Sequence, residues 1–525
     1  MKKLLSILFL LVSTATLHAG VEVWARSYLE PMTRVEIPPP GAVRSISIRV
    51  TPGEYEPAAF AVRSDSRTTV SVALSGLEGL DWLPASWCEL HLVAGLTDST
   101  ALNRLYELGG PVELQPGKTQ FFWLTVRPPE NTRPGIYHGR VFLKSVHVMH
   151  QIEITCRVLP FRLEDSSVFG GTFMAETNLP EDWYKDMKEH GLDAIQSFWG
   201  YDARVINREG KLVMDLSRLD KYMEDVIASG MKGPVVLSLG NDYHLHYERR
   251  IAEAFGIEID TLAPVDRKAV TGPAVSPRLD SLFIAGLRQI RDHWKAKGYS
   301  QELVILIYDE PTERLLERCK NRFDLLKTVM PDTRVYGVVM NRRAWAESML
   351  DQMDIIVCNG DFEACRELAD RYGKGFWIYS GIRGVHCARY DKGCLAWRHR
   401  AEAVWFWMYN YFDYNPNGCA VLPHPEDPDR LVRATFWEAI REGMDDLRYL
   451  ATAEHLIEQA PAKKGAAVHR KLESLKESID PSSRGLKPPE EVKTRAAALK
   501  YYNEPERVRA EVIDIILDLL GLMAL

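Results

Sequence analysis

The stretch VILIYDEPTE, Val304 to Glu313, begins with five residues suited to a buried strand, then sets two carboxylates, Asp309 and Glu310, side by side before Pro311 stops the run. An apolar run without alternation is what a strand covered on both faces carries. Parallel strands of that kind keep their chemistry at their C-terminal ends. The acids therefore stand where a reactive group is expected.

Working outward, seven more runs share this character. They are VFGGTFMAE from Val168, AIQSFWG from Ala194, GPVVLSLG from Gly233, RVYGVVMN from Arg334, DIIVCNGD from Asp354, GFWIYSG from Gly375 and AVWFWMYN from Ala403. Amphipathic segments such as RLDKYMEDVIASG and DSLFIAGLRQIRDHWKAKG lie between them. Eight strand-then-helix units predict a (β/α)8 TIM barrel, with LVILIYDE as its fourth strand. A doubly wound open sheet is the alternative, but FGGTF does not match the G-x-G-x-x-G phosphate loop such a sheet usually carries after its first strand.

Upstream, RSISIRVTP, TVSVALSG, KTQFFWLTVRPP, GRVFLKS and QIEITCRVLP are short strand-like runs separated by Pro and Gly turns, which predicts an antiparallel β-sandwich over 21–163. The barrel is expected over 164–458 and a C-terminal helical segment over 459–525, where apolar residues recur at helical spacing. The first 20 residues, MKKLLSILFLLVSTATLHAG, read as a cleaved signal peptide: two lysines, a short apolar run, then small and polar residues. A secreted or periplasmic protein is expected, and no later run is long and apolar enough to span a bilayer. The net charge of −7 gives no support for a nucleic-acid partner. The eight cysteines form no CxxC pair and no zinc spacing, so no metal and no cofactor is expected. Cys387 and Cys394 bracket ARYDKG, read as a polar loop that could close into a disulfide.

Two adjacent acids at a barrel mouth suggest glycoside cleavage. The usual retaining route needs an acid and a nucleophile about 5–5.5 Å apart, generally from opposite sides of the barrel. GFWIYSG, the expected seventh strand, offers no carboxylate. An inverting route would need a separate base, and Asp242 or Asp361 could serve. A third route lets the substrate's own 2-acetamido group attack, so the enzyme supplies only an acid/base and an orienting carboxylate. The sequence fits this third route best. The plain structural alternative is a helix start, with Asp309 as cap and Pro311 in the first turn. The barrel context favours the functional reading.

The chain resembles glycoside hydrolase family 123 in its sandwich followed by a barrel, in YDEP on the fourth strand, in the aromatic strand WFWMYNYF (Trp405 to Phe412) and in the closing stretch FWEAIREGMDDLRYL (Phe436 to Leu450). The resemblance implies a retaining, substrate-assisted β-N-acetylgalactosaminidase-type hydrolase acting on a glycan. Glu310 would be its general acid/base, and Asp309 would orient the acetamido group. A non-catalytic carbohydrate-binding protein on the same scaffold, and an inverting glycosidase acting on an unmodified sugar, are the other readings.

Further cleft candidates follow from position. Trp199 and Tyr201 come after the second strand, and Asp242, Tyr243 and His244 after the third. Asn341 follows the fifth, and Tyr379 lies at the end of the seventh. Trp405, Trp407 and Tyr409 alternate on the eighth and are expected to share a face, with Asn410 beside them. Trp405 reads as core, while Trp407, Tyr409 and Asn410 are candidate ligand contacts. Glu442, Asp445 and Asp446 read as members of helical i,i+3 or i,i+4 ion pairs.

Overall fold

A computed structural model describes residues 20–97, 103–146, 148–174, 179–197, 203–239, 246–258, 276–307, 309, 316–340, 347–381, 384–412, 416–483, 492 and 494–522. Of the segment read as a signal peptide, only Gly20 is among them. The chain divides into two compact units, one built from residues through 28, 32–100 and 107–160, the other from 29–31, 101–106 and 161 onward.

The first unit is a sandwich. Glu56–Ser64 pairs antiparallel with Val21–Arg26 on one side and Thr119–Val126 on the other, and Thr119–Val126 pairs in turn with Cys88–Ala94. The second sheet runs Ser45–Val50, Met149–Val158, Gly135–Lys144, Thr68–Leu74 and Val112–Leu114. Its edge strand Ser45–Val50 pairs parallel with Met149–Val158, where the sequence predicted an antiparallel sheet throughout. Alternating residues of both sheets meet inside, with Phe60 and Phe122 stacked at 5.0 Å.

The second unit is a closed parallel barrel of eight strands: β1 Phe169–Met174, β2 Leu192–Ser197, β3 Val235–Ser238, β4 Leu303–Leu306, β5 Arg334–Met340, β6 Ile355–Asn359, β7 Gly375–Gly381 and β8 Ala403–Asn410. Each falls on one of the eight apolar runs read from the sequence. Alternate residues fill the interior, among them Phe173, Val236, Val304, Leu306, Tyr336, Val357, Trp377 and Trp405, so the barrel is packed rather than hollow. A hairpin, Arg204–Arg208 with Lys211–Asp215, follows β2. Another, Val421–His424 with Asp427–Ala434, follows β8. Leu105 and Arg104 pair with Arg433 and Ala434 of this second hairpin. Residues 101–106, read as sandwich from the sequence, thus belong to the barrel unit.

Four helices matter below: α1 Glu181–Glu189, α2 Val385–Tyr390, α3 Thr435–Gln459 and α4 Glu504–Leu519. The closing stretch FWEAIREGMDDLRYL lies in α3, almost all of it buried. Arg448–Asp445 forms at i,i+3 and 2.9 Å as expected, while Arg441 pairs at i,i+3 with Glu438 at 2.5 Å. Glu442 and Asp446 instead pair away from their own helix. Arg509 of α4 reaches Glu442 at 2.8 Å and Asp446 at 2.5 Å, and Arg389 of α2 holds Asp446 at 2.8 Å. Helical periodicity puts these acids on one face but does not say what packs against it.

ARYDKG is not a loop. It continues α2 into a further buried helical turn, Asp391–Leu395. Cys387 and Cys394 are both buried free thiols. Six helical residues lie between them, seven steps that set them about 10 Å apart along the axis, beyond the reach of a disulfide. Among the described residues, no helix is long and apolar enough to cross a membrane.

Candidate active site

β4 ends at Leu306, and Asp309 follows three residues later at the carboxyl end of the strand. Asp309 is half-buried, and its Oδ1 atom is shielded from solvent. Leu306 is the register partner of Tyr336 on β5. Burial, then the charge of Asp309, then Tyr379, hold the Tyr336 phenol well above its ordinary value, against a lowering contribution from Gln196. It therefore stays a neutral hydrogen-bond donor at any working pH, and it donates to Oε1 of Gln196 on β2. Gln196 is fully buried, and among the described residues its Nε2 has no hydrogen-bond partner.

Asp309, Gln196 and Tyr379 thus act together on Tyr336 within a mostly apolar interior. The sequence reading missed Gln196 and Tyr336. The signal for the first was present, a single amide in the inward parity of AIQSFWG, two residues after Ala194. Tyr336 near the start of β5 resembles ordinary core and offers no such signal.

Aromatic rings surround this group. Phe173 of β1 lies 4.9 Å from Tyr379, 5.8 Å from Trp405 and 5.7 Å from Trp407 between ring centroids. Trp405 stacks on Trp377 at 5.7 Å and is core, as expected. Trp407 is half-buried, with Tyr411 edge-on at 6.2 Å, so part of its ring is open to a ligand. Asn410 is buried at the end of β8 opposite Met174 of β1.

Tyr409 is a correction. Alternation breaks in β8 at Trp407 and Met408, adjacent residues that both pack against the barrel core, within the stretch where its pairing with β1 is irregular. Tyr409 therefore faces out, away from Trp405 and Trp407, and its ring meets Trp437 of α3. Its single hydroxyl hydrogen is shared between Asp186 Oδ2 of α1 at 3.1 Å and the Trp183 carbonyl at 3.2 Å. Trp437 Nε1 and Arg433 bind the same carboxylate at 2.9 and 2.7 Å. This is a support outside the barrel wall, not a ligand contact.

Asp361, considered above as an inverting base, caps the helix Phe362–Tyr372, its Oδ1 accepting the Ala364 N–H at 3.0 Å. The segment after β8 is also fixed. The guanidinium of Arg104 donates to the carbonyls of Pro416 at 2.7 Å, Asn417 at 3.3 Å and Cys419 at 2.9 Å. Glu310, Trp199, Tyr201, Asp242, Tyr243, His244 and Asn341 lie outside the described residues.

No protein-family profile and no curated protein matches the chain. Among solved structures, the chain is similar to a family 123 glycoside hydrolase from Clostridium perfringens studied for glycolipid glycan hydrolysis, with a TM-score of 0.71 and 13% identity, covering 96% of this chain and 100% of that one. An endo-β-1,4-mannanase from Thermotoga petrophila follows at TM-score 0.38 and 13% identity, covering 54% of this chain and 77% of that one. A family 5 mannosidase from Rhizomucor miehei also reaches TM-score 0.38, at 12% identity over 57% of this chain and 95% of that one. These last two likenesses are too partial to bear on this chain. The first shows the fold: this chain is built as that family 123 glycoside hydrolase is, over nearly the whole length of both.

Proposed function

We propose that the protein is an exported glycoside hydrolase that removes terminal N-acetyl-β-hexosamine residues, N-acetylgalactosamine among them, with retention and with the substrate's own amide as nucleophile. One observation carries the reading. Asp309 stands at the carboxyl end of the fourth strand of a closed barrel, with Glu310 next to it in the sequence, while the seventh strand, Gly375–Gly381, has no carboxylate in its sequence.

Glu310 protonates the glycosidic oxygen as the bond to C1 breaks, and the aglycone leaves as its alcohol. The acetamido carbonyl oxygen bonds to C1 in its place, giving an oxazolinium ion. Asp309 stays ionised, accepts from the amide N–H and balances the positive charge. Glu310, now a carboxylate, takes a proton from the water that adds to C1 and opens the ring. Two inversions leave the anomer unchanged. Tyr379 donates toward the acetamido group, and the open side of Trp407 lies under the sugar ring.

The test is hydrolysis of aryl N-acetyl-β-galactosaminide and aryl β-galactoside by the wild type, Asp309→Asn and Glu310→Gln. The expected result is turnover only of the acetamido substrate, with each variant slowed by about 10²–10⁴-fold. Wild-type turnover in both variants, or equal rates on the two sugars, sinks the reading.

A further inference from the structure

We propose a second carbohydrate site on the outer face of the sandwich, with the indole of Trp82 as its platform. This site is separate from the barrel and does not depend on the roles assigned to Asp309 and Glu310.

Trp82 is 62% exposed, unusual for the largest apolar side chain. Its six-membered ring lies over Gly76, where an added Cβ would come within 2.4 Å of Cζ2. Glycine at 76 therefore lets the ring settle onto backbone, which holds the indole from below while leaving most of it in solvent. A ring so supported loses little freedom when a ligand stacks on it, so less of the stacking energy is offset by entropy.

The register extends this platform into a row. Trp82 is opposite Glu78, Glu78 opposite His138, His138 opposite Thr155, and Thr155 opposite Ser47. Directly opposed residues share a face, so all five side chains point the same way. That face is the solvent side, since Tyr137 next to His138 is buried in the core and Glu78, His138 and Ser47 are exposed. Four strand spacings make the row about 19 Å long. It runs from an aromatic ring through a carboxylate and an imidazole to two hydroxyls, with exposed Ile136 and Leu80 near the aromatic end.

This chemistry matches a pyranose chain. The C–H face of one ring covers the indole, and the hydroxyls of the following rings meet acceptors and donors set at strand spacing. It matches other occupants less well. A phosphate-bearing polymer would meet the Glu78 carboxylate in a row that itself holds no Lys or Arg, the arginines of that face, Arg140, Arg157 and Arg49, standing two residues along their strands from it. A protein interface places its apolar residues at the centre and its polar ones around them, whereas here the apolar group sits at one end of a polar row.

The experiment is affinity electrophoresis of the full chain in gels holding glycol chitin, chondroitin, galactomannan or arabinogalactan, with wild type, Trp82→Ala and His138→Ala compared. Asp309→Asn serves as background, so that no polymer is trimmed. At least one polymer should retard the wild type, and Trp82→Ala should weaken that binding about tenfold or more, the usual loss when an aromatic anchor is truncated. His138→Ala should weaken it less. The melting midpoint of Trp82→Ala and its hydrolysis of a small aryl glycoside, measured with Asp309 intact, should match the wild type. No retardation of the wild type by any of the four polymers overturns the proposal, as does equal retardation of Trp82→Ala, which would place all binding in the barrel. A shift from dimer to monomer on Trp82→Ala, seen by sedimentation without glycan, also overturns it, because the face would then be covered by a second copy. A wild type that is retarded but hydrolyses nothing leaves this site standing and removes only the proposed activity.

Discussion

At Tyr336 a single hydroxyl joins two opposing demands. The ring belongs to the apolar interior of the barrel, while the hydroxyl satisfies the Gln196 amide oxygen across it. Removing one partner leaves the other buried and unpaired, which costs about 1–3 kcal/mol, whereas replacing both with apolar groups of similar shape is close to neutral. Tyr336→Phe and Gln196→Leu should therefore each lower the urea midpoint. The double variant should fall no further than the worse single one, because it also removes the Nε2 group that has no partner among the described residues. Losses that simply add would mean the two side chains do not interact. On the proposed reaction, Tyr336→Phe should also reduce kcat more than it raises KM, since Tyr336 stands beside Asp309 and acts on the sugar only through it. Gln196 was legible as a lone amide in an inward parity. The role of Tyr336 was not, because a tyrosine in an apolar strand looks the same whether or not its hydroxyl reaches across the barrel.

Among the elements, the eight strands were legible because each is an unbroken apolar run, a pattern set locally. What the sequence did not disclose are contacts between segments far apart in the chain. Residues 101–106 read as sandwich because strand alternation says nothing about partners, yet Arg104 is the cation that holds the carbonyls of the segment after β8. Tyr409 read as lining the cleft because alternation was carried past Trp407 and Met408, neighbours that both pack into the core. The closing stretch of α3 is the strongest case. Its glycine, Gly443, touches the turn that follows α2, where an added Cβ would come within 2.8 Å of Lys392 Cβ and 2.9 Å of the Arg389 carbonyl. That contact lets Arg389 and Arg509 reach Asp446 and Glu442. Gly443→Ala should force the helices apart and cost about 1–3 kcal/mol from overpacking alone, despite the better helix propensity of alanine. Thermal unfolding reads this directly. A variant as stable as the wild type would show that the helices are not in close contact.

Across the barrel as a whole, buried carboxylates should govern how stability varies with pH, and they divide by sign. Burial pushes Asp186, Glu248 and Glu438 upward. In each case arginine partners outweigh it: Arg433 at Asp186, Arg322 and Arg318 at Glu248, and Arg441, with His190, at Glu438. All three are held below the ordinary carboxylate range. A group lowered on folding stabilises fully above its unfolded value, about 4, and that stability is lost as pH falls through the depressed folded value. Glu442 goes the other way. Complete burial pushes it up to about 8 against the pull of Arg509 and Arg389. A raised group stabilises fully below its unfolded value and loses that contribution as pH rises toward its folded one, here between about 4.3 and about 8. Taken alone, these four carboxylates should contribute most near pH 4–5, with a steep fall on the acid side where three act together and a gentler decline toward pH 8 where one does, while buried His386, held below its ordinary value, adds stability as pH rises to about 6.5. Glu442→Gln separates the two arms. It keeps an oxygen for Arg509 at 2.8 Å and has no proton to lose, so its melting midpoint should rise relative to that of the wild type between pH 5 and pH 8.5. Below pH 4 the two curves should descend together, because Asp186, Glu248 and Glu438 are untouched. Parallel curves on the alkaline side would show that Glu442 is ionised throughout, with its charge fully met by Arg509.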